Sequence, residues 1–180
     1  MSNAKKEPGL ASLVIVLAII CLVIAALLGL VNSVTEGPIA DNTAKTVQDS
    51  LKIVLPADTY DEVEYSGTEA NVIAVYKAGE DGYVVEVNSP NGFGGALDMM
   101  TGISNDGAIT GIAIISHSET SGLGSKATDP EWQAQFAGIT DTVTVTKDGG
   151  QINAITGSTI TSRAVCDGVN MARSVVEELG

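Results

Sequence analysis

The strongest pattern in the chain is a long apolar stretch near its N-terminus. Residues Leu10 to Val31 form 22 consecutive positions without Asp, Glu, Lys or Arg. As a helix, such a stretch would be about 33 Å long, which is enough to cross the hydrocarbon layer of a bilayer. A cleaved signal sequence would have a shorter apolar region, and no convincing small-x-small cleavage site follows Val31. The stretch therefore predicts a retained transmembrane helix.

Two further segments show the three-to-four-residue period of an amphipathic helix. The first runs from Pro38 to Leu55 and ends at Pro56, which cannot continue a helix. The second runs from about Thr161 to Leu179. Their apolar positions are Ala40, Ala44, Val47, Leu51 and Val54 in the first, and Val165, Val169, Ala172, Val176 and Leu179 in the second. We expect the first segment to form a stalk or the first helix of a folded domain, and the second to pack through its apolar face.

Between these helices lie runs that alternate or are rich in β-branched residues, as strands are. The predicted strands cover residues 71–76, 82–87, 96–103, 108–115 and 142–146. The dipeptide Asp106-Gly107 predicts a hairpin turn between two of them. Asp129-Pro130 predicts the start of a short helix. Together these elements predict an α+β fold in which a mainly antiparallel sheet is packed by helices.

The pattern divides the chain into four parts and suggests an orientation in the membrane. The parts are residues 1–9, the transmembrane helix 10–31, the helical stalk or first helix 32–56 and the domain 57–180. Lys5 and Lys6 precede the apolar stretch, with only Glu7 opposing them. Because positively charged flanks stay on the cytoplasmic side, we expect a cytoplasmic N-terminus. The protein would then be a single-pass protein of the cytoplasmic membrane with an extracytoplasmic C-terminal domain.

The charge of this domain excludes one class of partner. Seven of the nine basic and 21 of the 22 acidic residues follow the apolar stretch, which gives that part a formal charge of −14. Nucleic-acid binding requires a cationic surface for the phosphates. We therefore expect no nucleic-acid partner.

Few residues suggest catalysis or metal binding. The two cysteines, Cys21 and Cys166, lie in the apolar stretch and in the last predicted helix, so we expect no disulfide between them. Neither a Cys-x-x-Cys pair nor a His/Cys ligand spacing occurs, which argues against a zinc or iron–sulfur site built by this chain alone. His117 is the one histidine, and we expect it to be structural. We predict no metal site and no complete active site in this chain.

The segment that does indicate chemistry is Thr156-Gly157-Ser158-Thr159-Ile160-Thr161-Ser162. Four of its hydroxyl residues flank the predicted start of the last helix, together with a fifth at Thr156. The first N–H groups of a helix lack intrahelical acceptors and carry partial positive charge, so they can hold a phosphate. The alternative is that Thr161 or Ser162 merely caps the helix.

Two other loops have unusual compositions. Residues 88–95 are rich in glycine and precede a predicted strand, which fits either a turn or a loop that approaches a ligand closely. Residues 117–126 follow another predicted strand and contain Glu119, Thr120, Gly122, Leu123 and Gly124.

In this order, behind an apolar helix, these features resemble a known family. They are similar to the FMN-binding G subunit of the Rnf complex, an ion-translocating ferredoxin:NAD oxidoreductase, and to the related C subunit of the sodium-translocating NADH:quinone reductase. The family's flavinylation motif falls on Asn153-Ala154-Ile155-Thr156-Gly157-Ser158-Thr159, where Asn153 replaces the usual acid and Ser158 the usual alanine. The loop 117–124 resembles the family's Glu-Thr-Pro-Gly-Leu-Gly element, with Ser121 in the proline position. The resemblance extends to Gly92-Phe93-Gly94-Gly95 and Met99-Met100-Thr101-Gly102.

The resemblance implies an FMN-binding domain with the cofactor attached covalently. Thr159 Oγ would carry FMN through a phosphoester installed by an external flavin transferase. The resemblance places phosphate donors and flavin-lining residues around it. The expected phosphate-side residues are Thr156, Gly157, Ser158, Thr161 and Ser162, and the expected lining residues are Glu119, Thr120, Gly122, Leu123 and Gly124.

The implied function is electron transport within a membrane-bound ion-translocating oxidoreductase, alongside other membrane, iron–sulfur and flavin subunits. A single apolar helix without intramembrane charge is a poor ion conduit, so ion transport would belong to the other subunits of this translocase. Three alternatives remain at this point. They are the role of the C subunit in the quinone reductase, an anchored flavoprotein of an extracellular electron-transfer chain, and a membrane-anchored scaffold domain without redox activity.

Overall fold

The structure is a computed structural model that describes residues 9–180, apart from the side chains of Ala40 and Asp41. Lys5 and Lys6, on which the predicted orientation depends, lie outside the described residues. The chain forms two compact units that divide between Ala44 and Lys45. The predicted boundaries at residues 31 and 56 stay predictions.

The first long element is a continuous helix. Helix α1 runs from Leu10 to Val54, so the structure joins the two segments that the sequence predicted separately. Pro38 lies within it. Among the described residues, α1 is the helix long and apolar enough to cross a membrane, and the most apolar part of it is not buried within the protein. This finding fits the predicted single membrane-spanning segment.

The domain is built on one antiparallel sheet, as predicted. Its five strands are hydrogen-bonded in sequence order, each antiparallel to the next. They are β1 (Tyr60–Glu62), β2 (Val72–Ala78), β3 (Gly82–Ser89), β4 (Leu97–Ser104) and β5 (Ile109–Ser116). Four of these confirm predicted strands to within three residues, and the turn at Gly107 has the positive φ of 80° that its glycine allows. The short strand β1 was not predicted.

The prediction of a strand at residues 142–146 was wrong. Val143 and Val145 are buried as the alternation suggested, but the segment forms only one isolated bridge, between Val145 and Ile152. The backbone of Val143 pairs with a side chain, because the Asn170 amide accepts from its N–H at 2.9 Å and donates to its carbonyl at 2.8 Å. The alternating pattern therefore indicates here which side chains are buried, although the segment is not a strand of the sheet.

The last helix packs across one face of the sheet. Helix α3 runs from Thr159 to Leu179, and the short helix α2 from Pro130 to Gln133. The contact of α3 with the sheet is close at Gly168, where a Cβ would collide with Met99, and Ser89 donates to the Ala164 carbonyl at 2.7 Å. The fully buried side chains at this interface include Val85, Val87, Met99, Val165, Val169 and Ala172. Burial of each valine stabilises the fold by about 1.5–3 kcal/mol.

The opposite face of the sheet has a smaller core. Leu51 and Val54, near the C-terminal end of α1, pack there against Val84 and Met100. The Val54 carbonyl accepts from the Thr110 hydroxyl. The loops after β3 and β5 meet the start of α3 on the other face of the sheet, which α3 covers.

Candidate cofactor-binding site

A cavity of about 350 Å³ lies where the loop after β5 meets the first turn of α3. The loop contributes four of the predicted residues to its lining: Glu119, Thr120, Leu123 and Gly124. The start of α3 contributes four more: Gly157, Ser158, Thr159 and Thr161. The structure therefore brings together two segments, about forty residues apart in the chain, that the sequence analysis had selected separately.

The first turn of α3 is open toward this cavity. The helix begins at Thr159, and Ser158 at the N-cap position does not accept a hydrogen bond through its side chain. The first turn contains no acidic residue. Because the first N–H groups of a helix have no intrahelical acceptor, this end can stabilise a bound anion. The alternative that Thr161 or Ser162 caps the helix was wrong, since both lie inside it.

Ser162 and Thr161 are fully buried, but they have different partners. Ser162 Oγ accepts from the Ile155 N–H and donates to the Ser158 carbonyl, both at 2.9 Å. Ser162 therefore holds the turn that precedes α3 and does not line the cavity. Thr161 Oγ1 points the other way and donates to Glu119 Oε2 at 2.8 Å.

Glu119 is a buried carboxylate in the cavity wall, with 9% of its surface exposed. Besides Thr161, it accepts from the Gly94 N–H, 3.2 Å from Oε1. Gly124 lies against it so closely that a Cβ there would collide with Glu119 Oε2. The glycines of both loops therefore permit a close approach around this carboxylate, which is the physical role expected of them.

Gly157 marks the bend that leads into α3. Its φ is +80°, a conformation that L side chains rarely adopt, and a Cβ would lie 3.3 Å from Leu123 Cδ2. Glycine at this position therefore lets the chain turn directly beside the loop after β5.

Besides Ser162, two more of the predicted residues are absent from the cavity lining. Thr156 is exposed and lines a second, open groove of about 390 Å³, whose lining shares no residue with the cavity. In that groove, Trp132 Nε1 donates to the Asn153 carbonyl at 2.8 Å. Gly122 is exposed, and its N–H donates to Ser125 Oγ at 2.9 Å.

Three residues of the cavity were missing from the predicted set: Phe93, Lys147 and Ile160. Phe93 belongs to the glycine-rich loop that the sequence analysis noted, and Ile160 lies inside the seven-residue segment. Lys147 had no such signal, because it is one basic residue in a segment with no recognisable motif. Its ammonium group donates to Thr159 Oγ1 at 2.8 Å.

His117 has the structural role that was expected for it. Its Nδ1 accepts a hydrogen bond from the Glu119 N–H at 3.1 Å. The imidazole thereby helps to fix the backbone at the residue whose side chain enters the cavity.

The lining suits a ligand with a phosphate and an aromatic body. The open helix N-terminus and Lys147 provide positive charge at one place, beside the Thr159 hydroxyl. Phe93, Leu123 and Ile160 provide apolar surface and are 68%, 46% and 50% exposed. A flavin mononucleotide combines these two chemical features, so the residues present fit this cofactor.

The comparisons with known proteins agree with the chemistry of the cavity. A family model described as an FMN-binding domain matches residues 92–174, a range that includes every residue of the cavity lining. The G subunit of the ion-translocating oxidoreductase complex of Methanosarcina acetivorans is 37% identical, over 96% of this chain and 95% of the relative.

Two further relatives have more specific names. The G subunit of the Na⁺-translocating ferredoxin:NAD⁺ oxidoreductase complex of Acetobacterium woodii is 39% identical, over 92% of this chain and 90% of the relative. The G subunit of the proton-translocating ferredoxin:NAD⁺ oxidoreductase complex of Clostridium ljungdahlii is 30% identical, over 96% of this chain and 94% of the relative. The resemblance found in the sequence is thereby confirmed, and the chain belongs to the family of G subunits of ion-translocating oxidoreductase complexes, with that family's FMN-binding domain.

Proposed function

We propose that this chain is the flavin-carrying electron-transfer subunit of a membrane-bound ion-translocating ferredoxin:NAD⁺ oxidoreductase, with FMN bound covalently to Thr159. The observation that carries this proposal is the position of the Thr159 hydroxyl. It is the first residue of α3, it lines the cavity, and its oxygen accepts a hydrogen bond from a lysine. Thr156, three residues earlier, faces the open groove instead.

The attachment chemistry follows from this placement. Thr159 Oγ1 forms the new bond to the flavin's phosphorus and loses its proton. The bond between that phosphorus and the leaving group of the activated flavin donor, which an external transferase supplies, breaks at the same time, and the leaving group is released. Thr159 is half-buried and lines the cavity, where the transferase would reach its hydroxyl. The phosphoester would lie at the helix N-terminus, where unpaired N–H groups and the helix dipole stabilise negative charge. The transferase is therefore a maturation partner in this proposal.

The remaining lining residues orient the cofactor and leave part of it accessible. FMN supplies the redox chemistry, because its ring system accepts and releases electrons, while the protein sets position and local charge. Glu119 accepts hydrogen bonds from Thr161 and Gly94, which orient its carboxyl group in the cavity wall. The exposed apolar side chains of Phe93, Leu123 and Ile160 surround the ligand without enclosing it. Such a site suits exchange of electrons with another protein.

The location within the complex is also part of the proposal. Helix α1 would span the membrane once, with the N-terminus in the cytoplasm and the FMN domain on the extracytoplasmic side. The other subunits would supply the iron–sulfur and flavin centres that exchange electrons with this FMN, as well as the ion path. A covalent link has a clear advantage in this location, since released FMN would be lost from the cell.

The most direct test of the redox proposal uses flavin fluorescence after denaturation. The protein is produced in a host that contains the transferase, denatured and separated on a gel. We expect fluorescence that migrates with the wild-type chain, is lost in Thr159→Ala and is retained in Thr142→Ala, a matched control at an exposed threonine outside the flavinylation motif. Wild-type protein from a host without the transferase should be dark. A dark wild-type band despite active transferase would refute the proposal and favour a scaffold domain.

Assembly is tested separately by purification of the complex from its natural membrane. We expect the chain to co-purify with iron–sulfur subunits and with ferredoxin-dependent reduction of NAD⁺. Co-purification with NADH-dependent quinone reduction instead would identify the role of the quinone reductase's C subunit and would contradict the proposed complex.

A further inference from the structure

We propose that Lys147 is the counter-cation of the Thr159-linked phosphate, and that the ion pair between Asp148 and Arg163 positions Lys147 over that phosphate. This inference rests on the proposed attachment of FMN to Thr159. It assigns binding and positioning roles to three residues outside the flavinylation motif. The starting observation is the hydrogen bond from Lys147 Nζ to Thr159 Oγ1, 2.8 Å long.

The backbone that carries Lys147 is a tight and well-connected turn. It is a single 3-10 turn, Thr146–Asp148, ended by Gly149 with a φ of 90°. Thr146 N–H donates to the Ile152 carbonyl at 2.8 Å, and Gly149 N–H donates to the Thr146 carbonyl at 3.2 Å. Val145, directly before the turn, is buried in the core. The base of the Lys147 side chain is therefore fixed relative to the sheet and α3.

A two-pronged ion pair connects this turn to the helix that begins with Thr159. Arg163 Nε lies 2.6 Å from Asp148 Oδ2, and Arg163 Nη2 lies 2.7 Å from Asp148 Oδ1. Arg163 lies one helical turn beyond Thr159, on the same side of α3. Two parallel bonds between a guanidinium and a carboxylate fix orientation as well as distance. Lys147 and Thr159 are thus held together at neighbouring positions of the two connected segments.

The ion pair remains charged at neutral pH. Hydrogen bonding from Arg163 lowers the pKa of the Asp148 carboxyl, and the same contact raises the pKa of the Arg163 guanidinium. Because the two charges of the pair offset each other, Lys147 is the positive charge left to face the cavity.

The charge balance of the cavity explains why such a cation is needed. Among the described residues that line it, Lys147 is the one basic side chain, and Glu119 is acidic. A phosphodiester adds a further negative charge to a domain whose net charge is already strongly negative. Its non-bridging oxygens are attached to the phosphorus that bonds Thr159 Oγ1, so the ammonium group is within reach of them. Opposite charges at such a distance attract, and salt screens this attraction where the pair is exposed.

The test measures how much flavinylation raises the thermal midpoint of the detergent-solubilised full chain. Modified and bare protein come from hosts with and without the transferase, and intact mass gives the modified fraction of each sample. Modified chains are separated from bare chains by anion exchange before melting. The variants are Lys147→Met, which keeps the length of the side chain without its charge, Lys147→Arg, and the control Lys52→Met at an exposed site on α1.

At low salt, we expect the increase in midpoint on flavinylation to be about 2–4 °C smaller in Lys147→Met than in wild type. Lys147→Arg should restore most of the increase, and Lys52→Met should match wild type. The difference should shrink at high salt, where exposed charges are screened. An increase in Lys147→Met that equals the wild-type increase at low salt would overturn the inference while leaving the attachment to Thr159 intact. Absence of any modified wild-type chain would instead contradict the proposed function.

A second variant tests the positioning role of the ion pair. Asp148→Asn removes a negative charge near the phosphate, so long-range electrostatics alone would make the increase on flavinylation larger. If the pair positions Lys147, the increase becomes smaller than in wild type, although less so than in Lys147→Met. An increase equal to or larger than the wild-type value would refute the positioning role.

Discussion

At its N-terminal end, helix α3 lines a cavity with a first turn that contains no acidic residue and no side-chain cap. At its C-terminal end, Glu178 forms a compact network within the protein. Its Oε2 accepts from the Tyr65 hydroxyl at 2.6 Å and from the Thr68 N–H at 3.1 Å, and its Oε1 accepts from the Thr68 hydroxyl. Both ends are polar. Only at the C-terminal end does a charged side chain of the helix, that of Glu178, accept hydrogen bonds from neighbouring groups of the chain.

Two of the three acidic residues of α3 lie at the opposite end from the one that the helix dipole favours. Acidic residues stabilise a helix near its N-terminus and destabilise it near its C-terminus. In α3, Glu177 and Glu178 lie at the C-terminal end, and the last turn has no basic residue. The hydrogen bonds from Tyr65 and Thr68 offset this cost at one end. At the other end, the capacity to stabilise negative charge is left for a ligand, which is what a phosphate site requires.

The largest effect should come from placing an acid in the first turn of α3. Ile160→Glu puts a carboxylate beside Thr159, at an exposed position of the cavity. The helix dipole should stabilise the bare protein by about 0.3–1 kcal/mol. Repulsion between the new carboxylate and the phosphate should nevertheless lower the rate of flavinylation by about tenfold or more. Time courses of modification by intact mass, with Ile160→Gln as the neutral control, measure this difference. Equal rates of flavinylation for Ile160→Glu and Ile160→Gln would show that the N-terminal end of α3 is not a site for negative charge.

A smaller effect on stability is expected for Thr161→Val. The substitution keeps the shape of a fully buried side chain but removes the donor to Glu119 Oε2. Leaving a buried carboxylate oxygen without its partner should cost about 1–3 kcal/mol of the free energy of unfolding. Denaturant unfolding monitored by Trp132 fluorescence measures the loss. The matched control is Thr156→Val at an exposed position, which should change the stability little, and an equal loss in both would contradict the role given to Thr161.

At the opposite end, Glu178→Gln should produce a pH-dependent loss of stability. Hydrogen bonds from Thr68 and Tyr65 lower the pKa of Glu178, so its ionised form is favoured by folding. The stabilisation is therefore present above the pKa of the unfolded state and is lost as the pH falls through the lower pKa of the folded state. Thermal midpoints should differ between wild type and variant at neutral pH and converge in acid. A difference in thermal midpoint that widens in acid would show that folding does not lower the pKa of Glu178.

In the buried middle of α3 we expect the smallest effect: a thiol that does not react in the folded protein. Burial raises the pKa of Cys166 to about 12, so the thiol stays protonated at neutral pH and lacks the reactive thiolate. In a Cys21→Ser background, an alkylating reagent at mildly alkaline pH should label Cys166 only after unfolding. Rapid labelling of the folded protein would show that α3 does not seal this face of the sheet.

Much of the sheet was predictable because its strands carry local signals. The runs at β2 to β5 combine β-branched residues with alternation, and Asp106-Gly107 supplies a turn. Strand β1 has only three residues, of which Asp61 and Glu62 are acidic, so no pattern distinguishes it from a loop. The segment 142–146 has the right pattern, but the backbone of Val143 pairs with the side chain of Asn170, which is distant in sequence, and not with a strand.

In the candidate site, too, some features have local sequence signals and others depend on residues that are distant in the chain. Glycines and hydroxyl residues mark the two segments of the cavity locally, and the family resemblance connects them. The contact between Thr161 and Glu119 depends on the three-dimensional fold, since the residues are 42 positions apart. Lys147 could not be selected from the sequence, because nothing near it indicates that its turn lies beside Thr159. Thr156 and Thr159 look alike in the sequence, yet Thr159 lines the cavity and Thr156 lines the second groove.

The central claim is tested most directly by locating the modification within one peptide. Trypsin, which cleaves after Lys147 and Arg163, releases residues 148–163 with all the candidate hydroxyls of the segment. In protein purified from its natural membrane, this peptide should carry one FMN phosphoester, and fragmentation should place it on Thr159. An unmodified peptide, or a flavin on Thr156, would contradict the account.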